Sequence, residues 1–238
     1  MTSTTDEVLE LLRRIDTCTV SNAIETFNVR MRNEGFVSDA LKCLFPSLPP
    51  VAGYAVTGRI KTTAPPIGNV CYYHRTDWWA YVDSLPSPKI IVLQDGDSNP
   101  GTGAFVGEIH AQIAKSLGCV AYVTNGTVRD LQALEQQQFQ CFAAGPSVSH
   151  AYAHIMDFGE PIVIGGLKIS PGDLLQGDRH GVQTIPMQAA GRLHQAVRDV
   201  KTREAELLKF CRSPEFTLAR LISVLEKDRP ACEPPHRF

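Results

Sequence analysis

The chain has 238 residues, a length that fits one domain of ordinary size, and a compact fold of that length buries roughly 70–75% of the surface its unfolded form exposes. Hydrophobic residues make up 43% and charged residues 20%, which excludes a disordered or collagen-like chain and removes the need for disulfide or metal staples. Lys and Arg number 23 against 25 Asp and Glu, a formal charge of −2 without a block of like charge, so bulk electrostatics draws in no nucleic acid.

No run of 18 apolar residues exists, so no membrane span is expected. The opening MTSTTDEVLELLRRID is acidic and amphipathic and lacks the basic-then-apolar order of a secretory signal. Seven cysteines (Cys18, Cys43, Cys71, Cys119, Cys141, Cys211, Cys232) are scattered with no CxxC pair, which reads as reduced thiols in a cytoplasmic protein rather than a zinc site.

Residues 5–15 read as a helix, with Val8, Leu11, Leu12 and Ile15 at helical spacing and Thr5 as its cap. A second helix begins near Thr19 and runs through Ala23 and Phe27. Residues 33–50 are irregular, and 51–62 form a strand. A short helix at 76–84 carries Trp78 and Trp79, read as packing residues. KIIVLQ at 89–94 is a β-branched run typical of a strand buried on both faces. DGDSNPGTG follows as a loop, and residues 107–117 form a helix with Ile109, Ile113 and Leu117 on one stripe and Gly118 as its stop. CVAYVT at 119–124 is a second buried strand, NGT a turn, VRDLQALEQQ the start of another helix, and 139–143 a third strand. This alternation predicts a parallel sheet with helices packed on it. After Pro146, Gly-Gly, Pro-Gly-Asp and Arg-His-Gly turns predict an antiparallel meander. Two helices at 188–210 and 214–227 and a Pro-rich tail close the chain.

The helix opening at Gly107 follows a buried strand and a Gly-rich loop. Its first amides, around Glu108, Ile109 and His110, lack intrahelical acceptors and sit at the positive end of the macrodipole, where a carboxylate or phosphate binds. The plain alternative is a junction whose amides face water. In Thr127-Val128-Arg129-Asp130, Thr127 and Asp130 have the spacing of a capping box, which accounts for Asp130 but not for Arg129. A guanidinium at the positive end of a helix is better explained by an anion it holds. Loops leaving adjacent parallel strands meet at one carboxyl edge. If the strands at 89–94 and 119–124 are neighbours, the 107–110 amides and Arg129 face one crevice, with Asp130 available for a divalent cation.

Other residues weigh less. Asp178 and His180 share a turn, where Asp178 is expected to satisfy turn amides. His150 and His154 have the i, i+4 spacing of a metal pair on a helix but no evident third ligand. Gly101-x-Gly103 after KIIVLQD lacks the third glycine of a nucleotide or S-adenosylmethionine loop.

GEIHAQIAKSLGCVAYVTNGTVRDLQAL resembles the signature of the RraA-like family, which includes the 4-hydroxy-4-methyl-2-oxoglutarate aldolases and the RNase E inhibitor RraA: Gly107-Glu108, then Arg129-Asp130 after a span of twenty residues. GGLKISPGDLLQGDRHGVQTIP and DTCTVSNAIETF resemble further family segments, so that the likeness runs over residues 16–187. The resemblance implies a single mixed-sheet α/β/β domain of the swivelling-domain-like type over residues 1–187. A helical extension over 188–238 would pack on it or on a neighbouring subunit.

The activity it implies is a divalent-metal-dependent lyase, a 4-hydroxy-4-methyl-2-oxoglutarate-type aldolase or an oxaloacetate decarboxylase, acting through a pyruvate enolate. The alternative is a non-catalytic, protein-binding regulator of an RNase. In the enzyme reading, backbone amides of Gly107, Glu108, Ile109 and His110 receive the carboxylate of a small 2-oxo acid, and Arg129 binds the keto oxygen. Asp130 holds Mg²⁺ or Mn²⁺ with waters, one of them steadied by Glu108. Arg129 and Asp130 are the catalytic pair. The family also implies a homotrimer or homohexamer with the site near a subunit interface, and neither nucleic acid nor membrane as partner.

Where some members carry Asp-Asn-Leu, this chain has Glu108-Ile109-His110. The backbone role survives that change. His110 is then either a proton shuttle or a partly buried helix-face histidine. Glu204 and Glu206 are the candidates for a C-terminal contribution from a neighbouring subunit. Lys115 lies a full turn or more from the helix start, so nothing argues for a Schiff base.

Overall fold

Four hydrophobic strands run parallel at the centre of the main sheet. The computed structural model describes residues 4–66 and 75–227. Cys71, Cys232 and the Pro-rich tail lie outside these residues. In chain order the elements are α1 (Thr4–Leu12), α2 (Thr17–Glu25), β1 (Lys42–Cys43), β2 (Val51–Lys61), α3 (Arg75–Ser84), β3 (Lys89–Asp95), β4 (Ala104–Val106), α4 (Glu108–Ser116), β5 (Cys119–Thr124), β6 (Thr127–Val128), α5 (Leu131–Gln136), β7 (Gln140–Ala143) and β8 (Gly145–Pro146). Then come β9 (His154–Phe158), β10 (Ile162–Ile164), β11 (Leu167–Ile169), β12 (Leu174–Asp178), β13 (Gly181–Thr184), α6 (Met187–Cys211) and α7 (Leu218–Lys227).

The main sheet has the order β1-β7-β5-β3-β2-β12-β13, with β9 also pairing β2. Within it β2, β3, β5 and β7 are mutually parallel, whereas β1, β9, β12 and β13 pair antiparallel. The expected adjacency of the 89–94 and 119–124 strands is therefore observed, with Ile91 opposite Tyr122. Burial on both faces of β3 follows from its run of Ile90, Ile91, Val92 and Leu93, all nearly inaccessible. Lys89 is buried beside them because its ammonium donates to the Val82 and Leu117 carbonyls at 2.7 and 2.8 Å.

Alternate residues of these strands feed two cores. On one face Val56, Ile91, Leu93 and Tyr122 pack with Trp78 of α3, Ala111 and Ala114 of α4 and Leu134 of α5. On the other, Ala55, Ile90, Val92 and Val123 pack with the hairpin β10–β11 through Ile162, Ile164, Leu167 and Ile169. Helices on one face and a β layer on the other give the expected α/β/β architecture. A third cluster joins α1, α2 and α6 to Ala52 and Leu174 at the sheet's antiparallel edge.

Several boundaries differ from expectation. Helix α1 spans Thr4–Leu12 rather than 5–15, which puts Thr5 inside the helix and not at its cap, and α7 begins at Leu218 rather than 214. Two further differences have identifiable reasons. Helix α2 starts at Thr17, not Thr19, because Asp16 is its N-cap and accepts the Thr19 amide at 2.9 Å. The stretch 33–50 contains the two-residue strand β1, too short to leave a periodic signature.

Candidate active site

The crevice is built by a second, small sheet that the sequence does not announce. Each of β3, β5 and β7 is followed by a short strand, and these three (β4, β6 and β8) pair in parallel. The loop after β3 is turned toward this sheet by the buried Asp95, whose carboxylate accepts the Gly101 amide at 2.8 Å. Asn125 bonds the Asp95 backbone in both directions, locking the two exits together. Because β4 and β6 run side by side, Gly107 comes to lie next to Arg129, and the Arg129 amide donates to the Val106 carbonyl at 3.1 Å.

Asp130 then crosses between the two segments. It is the residue before α5, with a left-handed backbone at φ 58° and ψ 42°. Its Oδ2 accepts the Glu108 amide, the first of α4, at 3.1 Å, and its Oδ1 accepts from Arg129 Nε at 3.3 Å. The capping-box reading of Thr127 and Asp130 is corrected here. Thr127 is drawn into β6, its hydroxyl donates to the Gly101 carbonyl, and Asp130 makes no side-chain cap bond to α5. A left-handed non-glycine residue costs about 1–2 kcal/mol, and such strain is characteristic of sites held for function. Gly107 is required by the same closeness: a Cβ there would stand 2.5 Å from Asp130 Oδ2 and 2.9 Å from Arg129 Cγ.

Gly107, Glu108, Ile109, His110, Arg129 and Asp130 all line one cavity of about 560 Å³. Of the amides expected to be free, that of Glu108 is committed to Asp130; the Ala111 amide makes the first intrahelical bond, to the Gly107 carbonyl. The Ile109 and His110 amides remain without an i−4 acceptor. Arg129 and Asp130 are each about one-third exposed at the side chain. Lys115 bonds the Gln137 carbonyl and Gln137 reaches the Glu108 carbonyl, so Lys115 braces α4 against α5.

Ile109 does not share a buried stripe with Ile113 and Leu117. Helix α4 turns Ala111 and Ala114 into the core, which leaves Ile109 74% exposed and places it with Ile113 on the cavity side. Arg75, Trp79, Phe105 and His150 complete the wall. The sequence reading missed these four because they come from three separate segments with no shared spacing. His110 lies between Trp79 (ring centroids 6.0 Å apart) and Phe105 (5.1 Å). Burial, together with the nearby Arg75 and His150, lowers its pKa to about 4, so the imidazole is neutral at neutral pH.

The remaining sequence candidates fall elsewhere. His150 and His154 are not a helical pair: His150 lies in a turn and His154 in β9, and each ring bonds a nearby carbonyl. Asp178 satisfies the turn amide of His180, as expected, and also the amide and hydroxyl of Thr17. Glu204 accepts from Asn22, and neither it nor Glu206 lines the cavity of its own chain.

Among the described residues no group of three or more His, Cys, Asp or Glu side chains forms a metal cluster. Asp130 is instead a single hard oxygen donor, partly open to solvent, with lone pairs left after its two bonds. Such a donor fits a cation that keeps most of its water, as Mg²⁺ does, and does not fit a closed zinc site. No helix among the described residues is long and apolar enough to cross a membrane.

The chain is similar to several known proteins. A protein of Halalkalibacterium halodurans named "Putative 4-hydroxy-4-methyl-2-oxoglutarate aldolase" is 30% identical over 128 residues, covering 53% of this chain and 58% of that protein. The chain thus spans little more than half the length of that relative. An uncharacterized protein from Pseudomonas syringae pv. tomato superposes with a TM-score of 0.72 at 22% identity, covering 93% of this chain and 94% of the other. Streptomyces coelicolor RraAS2, described as an unusual member of the RNase ES inhibitor RraA protein family, gives 0.66 at 19% identity, covering 84% and 94%. At these identities the two structures speak for the fold alone. The family model described as Aldolase/RraA matches residues 17–183, which include both arms of the crevice, and the chain belongs to this RraA-like family.

Proposed function

We propose that the protein is a divalent-cation-dependent lyase that cleaves a C–C bond of a 2-oxo acid and releases pyruvate, as an aldolase or as an oxaloacetate decarboxylase. The observation that carries this reading is the meeting of helix-start amides, the Arg129 guanidinium and the Asp130 carboxylate in one cavity.

The Ile109 and His110 amides, at the positive end of α4, receive the substrate carboxylate. Arg129 turns its terminal N–H groups to the keto oxygen, since its Nε is taken by Asp130. As the C3–C4 bond breaks, negative charge builds on that oxygen. A fixed guanidinium stabilises the developing enolate more than the neutral ketone, and this difference lowers the barrier. Asp130 and water would hold Mg²⁺ or Mn²⁺, which when bound supplies Lewis-acid polarisation of the keto oxygen. Glu108, exposed on the rim, steadies a water from outside the coordination sphere. Gly107 lets these groups approach without a Cβ between them.

We also propose that the protein is cytoplasmic and works as a homo-oligomer with the site near a subunit interface. Exposed Leu208, Leu218, Ile222 and Leu225 on α6 and α7 support association of this kind.

The test is pyruvate release, coupled to lactate dehydrogenase, from oxaloacetate and from 4-hydroxy-4-methyl-2-oxoglutarate. Turnover is expected with Mg²⁺ or Mn²⁺, lost in EDTA and restored by excess cation. Absence of turnover with both acids, together with tight binding to an RNase, would instead establish the regulator alternative.

A further inference from the structure

Two guanidiniums line the cavity, and only that of Arg129 has a part in the proposed chemistry. The other belongs to Arg75, the first residue of α3. They reach the cavity from different elements and have different partners. Arg129 gives its Nε to the Asp130 carboxylate at 3.3 Å. Arg75 Nη2 donates to the Ala153 carbonyl at 3.4 Å, beyond the usual hydrogen-bond range, and its Cζ stands 6.0 Å from the centroid of the Phe105 ring. Phe105 is 3% exposed and fixed in the core, so its ring is a firm backing for the guanidinium. As with Arg129, a cation in the first turn of a helix is locally unfavourable, so helix formation does not account for Arg75. A guanidinium carries five N–H donors in one plane. The Ala153 bond occupies one of them, and the planar fork matches a carboxylate. Arg75 and Arg129 balance Glu108 and Asp130 in the wall. A divalent cation on Asp130 would bring two positive charges, which a dianion cancels and a monoanion does not.

Resting on the lyase reading for Arg129 and Asp130, we propose that Arg75 is the specificity-determining residue of the site. It holds the distal carboxylate of a 4-hydroxy-2-oxo dicarboxylate and so favours aldol cleavage over the decarboxylation of oxaloacetate. The difference lies in the fate of that carboxylate. In aldol cleavage the C3–C4 bond breaks and its electron pair becomes the pyruvate enolate. The 4-hydroxyl proton passes to a base, C4 becomes the carbonyl carbon of the second product, and the enolate takes a proton at C3. The distal carboxylate stays on C4 as an anion throughout, so its pairing with Arg75 persists in the transition state. In oxaloacetate the distal carboxylate is itself the leaving group. Its negative charge passes through C3 to the keto oxygen as CO₂ departs. A guanidinium holding it stabilises the ground state more than the transition state and raises the barrier. Arg129 serves both reactions, since both build charge on the keto oxygen, whereas Arg75 serves one.

Binding and turnover are measured separately on the full chain with Mg²⁺ present. Isothermal titration compares 2-oxoglutarate with 2-oxopentanoate, which has a methyl group in place of the distal carboxylate. Neither carries the 4-hydroxyl needed for cleavage. Pyruvate release compares 4-hydroxy-2-oxoglutarate with 4-hydroxy-2-oxopentanoate and with oxaloacetate, the spontaneous decay of oxaloacetate being subtracted. The dicarboxylate of each matched pair is expected to be preferred about 10²-fold or more, as in a site built to pair the group that the analogue lacks. Arg75→Gln should shrink both preferences about tenfold or more, and should lower the ratio of aldol cleavage to oxaloacetate decarboxylation by a similar factor. Arg75→Lys, which keeps the charge and loses the fork, should fall between the two. Equal affinity for the matched acids, or a preference that Arg75→Gln leaves intact, overturns the inference even where pyruvate is released. So does an equal loss of aldol cleavage and decarboxylation in Arg75→Gln. A 2-oxoglutarate preference that falls in Arg75→Gln, without turnover of any acid, upholds the carboxylate contact and overturns the lyase reading.

Discussion

Two aspartates, Asp130 and Asp178, make the same kind of contact in different parts of the fold and have opposite characters. Each reaches from a strand-end segment to the first amide of a distant helix: Asp130 to Glu108 of α4, Asp178 to Thr17 of α2. Asp178 is 4% exposed, and its carboxylate takes the Thr17 amide, the Thr17 hydroxyl and the His180 amide, all within 2.7–2.8 Å. Asp130 is about one-third exposed, has a strained left-handed backbone, and makes two longer bonds of 3.1 and 3.3 Å. A saturated, buried carboxylate pins a helix. An undersaturated one, open to a cavity and flanked by a guanidinium, has bonding capacity left for a ligand.

The sharpest way to test this contrast is to remove one aspartate at a time. Arg129→Ala and Asp130→Ala should each lower pyruvate release by about 10²–10³-fold, the usual cost of losing one preorganised charge-stabilising group, with the circular dichroism spectrum unchanged. Gly107→Ala should cost about 10²-fold in kcat, because its Cβ pushes Asp130 and Arg129 out of place while the core is untouched. Asp178→Ala should do the reverse. It leaves the buried amide of Thr17 and the part-buried amide of His180 without acceptors and lowers unfolding free energy by about 3 kcal/mol, read from denaturant midpoints, while kcat of the folded fraction stays within about twofold. If Asp178→Ala abolished turnover at full stability, the distinction between pin and site would fail.

The smallest expected effect concerns His110. Its pKa drops from 6.5 to about 4 on folding, chiefly through burial, so the folded protein favours the neutral ring. The associated stability is complete above pH 6.5 and is lost as the pH falls from 6.5 to about 4, where the unfolded chain binds a proton that the folded chain resists. His110→Asn should flatten that part of the stability–pH curve. An unchanged slope between pH 6.5 and 4 would show that His110 is not buried in the way described.

Much of the fold was legible because it repeats itself. The runs in β3 and β5, and the strand–helix alternation, are long enough to carry a period, and they predict the parallel core and its shared carboxyl edge. Arg129 was legible for a different reason: a cation at the positive end of a helix is locally unfavourable and so points beyond itself. What escaped was the device that joins the two arms. Strands β4, β6 and β8 have two or three residues each, below the length at which alternation can be seen, yet they bring Gly107 beside Arg129. The apparent capping box at Thr127 misled because a tertiary strand pairing overrode a local motif. Arg75, Trp79, Phe105 and His150 meet only through the packing of α3 and the loop before β9 against α4, and no linear pattern encodes that meeting.

The central claim is that one cavity holds a 2-oxo acid and a cation between the two arms of the crevice. A crystal soaked with pyruvate and Mn²⁺, with anomalous scattering used to locate the metal, addresses it most directly. The account predicts an anomalous peak in coordination contact with the Asp130 carboxylate, with the pyruvate carboxylate on the Ile109 and His110 amides and its keto oxygen toward Arg129. Manganese bound away from Asp130, or pyruvate outside the space between Gly107 and Arg129, would contradict it.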